Sequence, residues 1–152
     1  MTTLGTTTDA ASQRRRGSQD MATKLISERT EMLVTFCRLA GIEPYTADKP
    51  VQNLLQEFCQ ILVDYVAAGH FALYERIVEG KERRRTVSDL AAEVYPRIAK
   101  TTDLALDFND KYDCEDHCTV LDSLSVDLSR LGEELAVRID LEDRLLALMS
   151  ER

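Results

Sequence analysis

The sequence predicts an all-α protein, an up-and-down antiparallel bundle of about four long helices with short extra helices. Three observations lead there. The 152 residues include only six glycines and three prolines, and so few turn-formers imply few turns and long elements. Apolar residues recur at steps of three and four over several long stretches, which is the period of a helix face. The links between these stretches are short, which makes neighbouring helices antiparallel. The length suits one domain with a real core, because a domain of about 150 residues buries roughly two-thirds of its unfolded surface. That domain is expected over residues 19–150. Residues 1–18 are rich in Thr and Ser, lack apolar rhythm and read as a disordered tail.

The first helix is expected from about Gln19 to Ala40. Met21, Leu25, Met32, Leu33, Phe36, Cys37 and Ala40 keep helical spacing, with a polar gap around Glu28 and Arg29. Gly41 is suited to the left-handed residue that follows a helix. Pro50 opens the second helix, where a missing N–H costs nothing. Val51, Leu55, Phe58, Leu62, Tyr65 and Gly69 form its seam, and Leu54, Ile61 and Val66 widen it. So wide an apolar arc marks a central helix. Gly69 is expected to end or loosen this helix, and a short one, from His70 to about Val78, to follow and close at Gly80.

Lys81 to Arg85 is a charged connector containing three consecutive arginines. Thr86 or Ser88 can cap the next helix, with Asp89 completing a capping-box-like pattern. That helix carries Leu90, Val94, Ile98, Leu104, Ala105 and Phe108. Pro96 within it removes a backbone hydrogen bond, so a kink or restart is expected there. The last helix, from about Thr119 to Met149, has the most regular seam of all: Leu121, Leu124, Leu128, Leu131, Leu135, Arg138, Glu142, Leu145 and Met149.

The formal net charge is −8 and the pI about 4.8. Such a surface repels phosphate backbones, which argues against direct nucleic-acid binding and for a partner with a basic face, or for simple solubility. The runs Arg14–Arg16 and Arg83–Arg85 read as solvated charge rather than anion sites. No stretch is apolar for long enough to span a bilayer, and residues 1–20 lack the apolar core of a signal peptide. A cytoplasmic location without membrane attachment is expected. Cys37 and Cys59 sit in apolar helical patterns and read as reduced core residues. Cys114, His117 and Cys118 have metal-like spacing but provide three ligands with no second pair, so no metal and no cofactor is assigned. There is no Gly-rich phosphate loop, no Glu-x-x-His pair of the di-iron type and no local Ser-His-Asp arrangement. His70 has apolar residues after it and no nearby Lys, unlike a phosphoacceptor histidine. The chain does not read as an enzyme.

One feature breaks the last seam. Arg138 and Glu142 occupy positions where apolar residues are expected, one turn apart, so that they can pair. A buried Arg138 needs a carboxylate partner. The expected outcome is a polar cluster of Asp64, His70, Tyr74, Arg138 and Glu142, serving either as one polar layer that sets bundle registry or as part of a partner site.

The stretch Leu62-Val-Asp-Tyr-Val-Ala-Ala-Gly-His-Phe-Ala-Leu-Tyr-Glu-Arg-Ile77 resembles the Rsd/AlgQ family of bacterial sigma-factor regulators, whose members carry a block of the form LVDY-x-x-AGHF-x-x-YE. Phe58-Cys59-Gln60 before the block and Leu39-Ala40-Gly41 at the end of the first helix are similar too, as is Arg138-Ile-Asp-Leu-Glu-Asp-Arg-Leu145 to the family's closing R-x-x-LED-x-L. The family's D-R-W near the start of the first helix is here Thr23-Lys24-Leu25. The resemblance spans roughly Asp20 to Met149 and implies an anti-sigma factor, a helical bundle that binds region four of the primary sigma factor and blocks its contacts with the −35 promoter element and core RNA polymerase. An alternative is a signalling adaptor that binds a phosphocarrier or an alarmone enzyme. Carried onto this chain, the family motifs imply a partner site or polar cluster of Asp64, Tyr65, His70, Phe71, Tyr74, Glu75, Arg138, Glu142 and Asp143.

Overall fold

The computed structural model describes residues 2–42, 50–75, 84–112 and 123–150, with side chains from residue 20 onward apart from 72, 74 and 150. It contains four long helices: α1 (Thr2–Ala40), α2 (Val51–Gly69), α3 (Arg85–Tyr112) and α4 (Leu124–Ser150). The α1 backbone is helical through residues that composition assigns to a tail, and its first buried side chain among those described is Leu25. The Cys114–Cys118 segment and the predicted helix end at Val78 and Gly80 lie outside the described residues.

Contacts between the helices fix their directions. Phe36 of α1 meets Phe58 of α2, while Leu25 lies beside Gly69, so the two chains run opposite ways. Along α3 and α4, Lys111 pairs with Asp127, Thr101 with Arg138 and Arg84 with Leu148 and Met149. Those numbers fall on one helix as they rise on the other. Phe58 against Phe108 and Arg29 against Asp143 complete the ring. The architecture is therefore the predicted up-and-down antiparallel bundle, and the α1–α4 edge is the most lightly packed of its four sides.

The core follows the seams. Leu55, Phe58, Leu62, Tyr65 and Gly69 of α2 are buried, as are Leu124, Leu128, Leu131, Leu135, Arg138, Glu142 and Leu145 of α4. On α1, Leu25 and Met32 point inward, whereas Met21 and Leu33 do not. Phe58 is the aromatic hub: its ring lies edge-on to Phe36 at 5.8 Å and to Phe108 at 5.7 Å. Phe108 in turn leans on Tyr112 at 4.6 Å. The Tyr112 hydroxyl donates to Asp127 Oδ2 at 2.5 Å, and Lys111 Nζ reaches the same oxygen at 2.7 Å. Hydrogen bonds from Lys111 and then Tyr112 hold the Asp127 carboxyl below its ordinary range. Arg84 donates to the carbonyls of Leu148 and Met149 at 3.1 and 2.8 Å, capping orphan acceptors at the C-terminal end of α4.

One predicted element boundary holds and another is corrected. Gly69 is the last residue of α2, and the helix loosens after it as expected. Its backbone is right-handed helical (φ −62°, ψ −44°), and so is that of His70 (φ −59°, ψ −51°). The chain then passes into a π-helical turn, His70–Tyr74, in which the Glu75 N–H donates to the His70 carbonyl five residues back. α3, for its part, does not restart at Pro96 but runs as one helix from Arg85 to Tyr112. Pro96 and Ala92, whose carbonyl loses its partner, are both exposed, so the helix faces solvent where the bond is missing. Gly41 turns out of α1 with φ 69°, as its position predicts.

Candidate functional site: a buried polar cluster beside an apolar groove

Arg138 and Glu142 are the most buried charges in the described core, at 1% and 0% exposure. They lie on the α4 seam between Leu135 and Leu145, so the regular period of that helix carries both into the centre. Arg138 Nε donates to Glu142 Oε2 at 3.1 Å. Its Nη1 donates to Thr102 Oγ1 at 2.7 Å and to Thr101 Oγ1 at 3.2 Å, both on α3. The guanidinium also lies 5.4 Å from the centre of the Tyr65 ring of α2. Glu142 Oε1 accepts from the Tyr65 hydroxyl in a short hydrogen bond and from Arg29 of α1 at 3.3 Å. Arg29 reaches on to Asp143 Oδ1 at 2.7 Å.

All four helices thus meet in one cluster of two guanidiniums, two carboxylates, a phenol and two hydroxyls. Burial, then the neighbouring Glu142 charge, pushes the Tyr65 phenol well above its ordinary pKa, so it remains a donor. Burial opposes the charge on Arg29, but the Asp143 hydrogen bond and the Glu142 charge outweigh it. Arg29 Nε is buried and finds no acceptor among the described residues. Each charge has been removed from water, so replacing such a network by apolar residues is often neutral, whereas removing one partner alone is costly.

Gly69 makes room for the cluster. A Cβ at this position would lie 2.9 Å from Arg138 Nη2 and 3.0 Å from Glu142 Oε2. The glycine is required by close approach, not by backbone conformation. Gly69→Ala gains roughly 0.5–1 kcal/mol of helix propensity but overpacks a site whose neighbours are tied down, at about 1–3 kcal/mol. A net loss of roughly 1–2 kcal/mol is expected in urea unfolding. A gain in stability would mean that Arg138 yields freely.

The structure brings together only part of the predicted cluster. Arg138 and Glu142 are joined, and Tyr65 belongs with them. Asp64 and His70 do not join: both are exposed, and Asp64 accepts instead from Gln60 at 3.4 Å. Each lies one residue from an inward position, and a step of one turns a side chain by about 100° around the helix. Asp143 is exposed but tied to Arg29. Phe71 is 56% exposed, Glu75 is half-buried, and the Tyr74 side chain lies outside the described set. Sequence reasoning missed Arg29, Thr101 and Thr102. The polar gap at Glu28 and Arg29 was the signal for the first. The threonines had a weaker one, since Thr101 falls between Ile98 and Ala105 on the α3 seam.

Beside the cluster, α2 and α3 leave a groove of about 450 Å³. Val63, Ala67 and Phe71 line one wall, Tyr95, Asp103 and Leu106 the other, and Arg138 and Thr102 also border it. The family block therefore has two sides: Tyr65 and Gly69 face the buried cluster, while His70 and Phe71 face the groove.

Fold and site together define a helical bundle stapled by one internal polar network, with an open apolar surface next to it. The chain belongs to the Rsd/AlgQ family: residues 4–150 match the family described as Regulator of RNA polymerase sigma(70) subunit, Rsd/AlgQ. It is similar to the Regulator of sigma D of Yersinia enterocolitica serotype O:8 / biotype 1B, with 33% identity over 94% of this chain and 88% of the relative. It is likewise similar to the Regulator of sigma D of Shigella dysenteriae serotype 1, with 34% identity over 93% of this chain and 90% of the relative.

Proposed function

We propose that this protein is an anti-sigma regulator of transcription that binds region four of the primary sigma factor. Occupying that region would block its contacts with the −35 promoter element and with core RNA polymerase. Membership of the Rsd/AlgQ family over residues 4–150 carries this reading, and the relatives' description as regulators of sigma D points to the same kind of target. The charge of −8 supports it, because a DNA-reading surface is basic and an acidic partner is complementary to it. No helix among the described residues is long and apolar enough to cross a membrane.

The protein acts by occlusion in the cytoplasm, without catalysis and without binding DNA itself. Its residues 19–150 act as one domain. Within the family motifs, Asp64, His70, Phe71, Tyr74, Glu75 and Asp143 serve the contact surface, and Tyr65, Arg138 and Glu142 hold the helices beneath it.

The test is direct mixing of the purified protein with the host's primary sigma factor and with its isolated C-terminal region. Co-elution with both is expected, and the affinity should fall as salt rises from about 50 to 300 mM, because screening weakens charge complementarity. Failure to bind either form would refute the proposal.

A further inference from the structure

We infer that the α2–α3 groove is a small-molecule site whose ligand is a free α-amino acid with an apolar side chain. Its carboxylate is held by Arg138 at the floor and its ammonium by Asp103 at the rim. Such a site goes beyond the sigma-binding reading and does not depend on it.

The floor of the groove has donors to spare. Arg138 borders the groove and is only 1% exposed. Its Nε donor goes to Glu142 and both Nη1 donors go to Thr101 and Thr102. Nη2, which lies close to Gly69, keeps both of its donors and has no acceptor among the described residues. Buried donors left unmet are costly. A carboxylate is the acceptor that a guanidinium holds most strongly.

The charges on either side decide what the carboxylate must carry with it. Arg138 and Arg29 already face Glu142 and Asp143, and these four cancel. A simple acid entering the groove would be uncompensated, and a phosphate more so. Asp103 supplies the other half. It lines the groove, is exposed, and follows Thr102, whose hydroxyl accepts from Arg138 at 2.7 Å. Asp103 has no ion-pair partner among the described residues. A ligand with an ammonium beside its carboxylate adds no net charge and meets both groups.

The walls select an apolar side chain. Phe71, Tyr95 and Leu106 are large, exposed and line the groove, with the small side chains of Ala67 and Ala99 between them. The volume of about 450 Å³ lies within the range of small-molecule sites, roughly 300–1,000 Å³. The groove between α1 and α4, about 290 Å³, is lined by no polar side chain that could orient a ligand. The cavity between α3 and α4, about 210 Å³, holds Lys111, Tyr112 and Asp127, which bond to one another.

The test is titration of the isotope-labelled full-length protein with L-phenylalanine and L-leucine, followed through its amide NMR shifts. Saturable shifts at Ala67, Phe71, Ala99 and Leu106 are expected, with a dissociation constant on the order of 0.1–1 mM for so small a ligand. Arg138→Ala would break the internal network, so the ligand is varied instead. Phenethylamine, which lacks the carboxylate, and hydrocinnamate, which lacks the ammonium, should each bind about 10-fold more weakly than phenylalanine, or worse. Asp103→Asn should weaken phenylalanine by about 10-fold and leave hydrocinnamate unchanged. Ala99→Leu should weaken every ligand by narrowing the groove. If it lowers the melting temperature, Phe71→Ser takes its place and must weaken binding too. No shifts with either amino acid at about 10 mM, or shifts centred on Leu33 and Ala136 in the other groove, would overturn the site. Phenethylamine binding as tightly as phenylalanine would remove the role of Arg138. Hydrocinnamate binding as tightly, or Asp103→Asn without effect, would overturn the amino-acid assignment.

Discussion

Glu142→Ala lowers stability by roughly 3–5 kcal/mol, the cost of breaking a buried ion pair and leaving its partner uncompensated. For a chain of this size that corresponds to a fall of about 10–15 °C in melting temperature. The effect is large because one carboxylate serves three donors on three helices: Arg138 of α4, Tyr65 of α2 and Arg29 of α1. Its removal leaves buried Arg138 with the hydroxyls of Thr101 and Thr102, and leaves the buried Tyr65 phenol without this acceptor. The double variant Arg138→Met with Glu142→Leu is expected to recover more than half of the single variant's loss, since replacing both charges avoids the unpaired one. Urea unfolding of the two single variants and the double variant checks this. A loss below about 1 kcal/mol for Glu142→Ala would place the cluster with surface ion pairs.

Phe58→Ala is expected to cost about 3–5 kcal/mol, the range for deleting a buried aromatic ring. Phe58 is fully buried and makes edge contacts with one ring on α1 and another on α3, so the cavity opens where three helices converge. Phe58→Leu keeps most of the volume and should cost under about 1.5 kcal/mol. Phe108→Ala combined with Phe58→Ala should cost less than the sum of the two singles, because they share the contact that both remove. Denaturant midpoints with an unchanged slope are the appropriate readout. Strict additivity would show that the rings pack independently.

The bundle was legible because the seams of α2 and α4 keep helical period over many turns, and the two charges interrupting α4 were legible as breaks in that period. The cluster's other members were harder to see. A polar residue on a long helix reads as surface unless the helix facing it is known, and α1 shows Arg29 only as a gap in an apolar pattern. Asp64 and His70 were drawn into the cluster by adjacency to Tyr65 and Gly69, whereas adjacency along a helix separates faces. The groove was harder still to read: the family motif pointed to Phe71, but nothing in the sequence marked Leu106, which the packing leaves uncovered. The π-helical turn has no sequence mark beyond Gly69, which read as the place where the helix ends or loosens.

Gly69 has a consequence for how this chain can diverge. It belongs to the first family motif, and the atoms that fill the space above it belong to the second, some seventy positions later. The two motifs are therefore one packing unit split across the sequence. A side chain at position 69 demands a smaller pair at 138 and 142, and chimeras that exchange only one of the two segments between distant relatives should fold poorly where those choices differ.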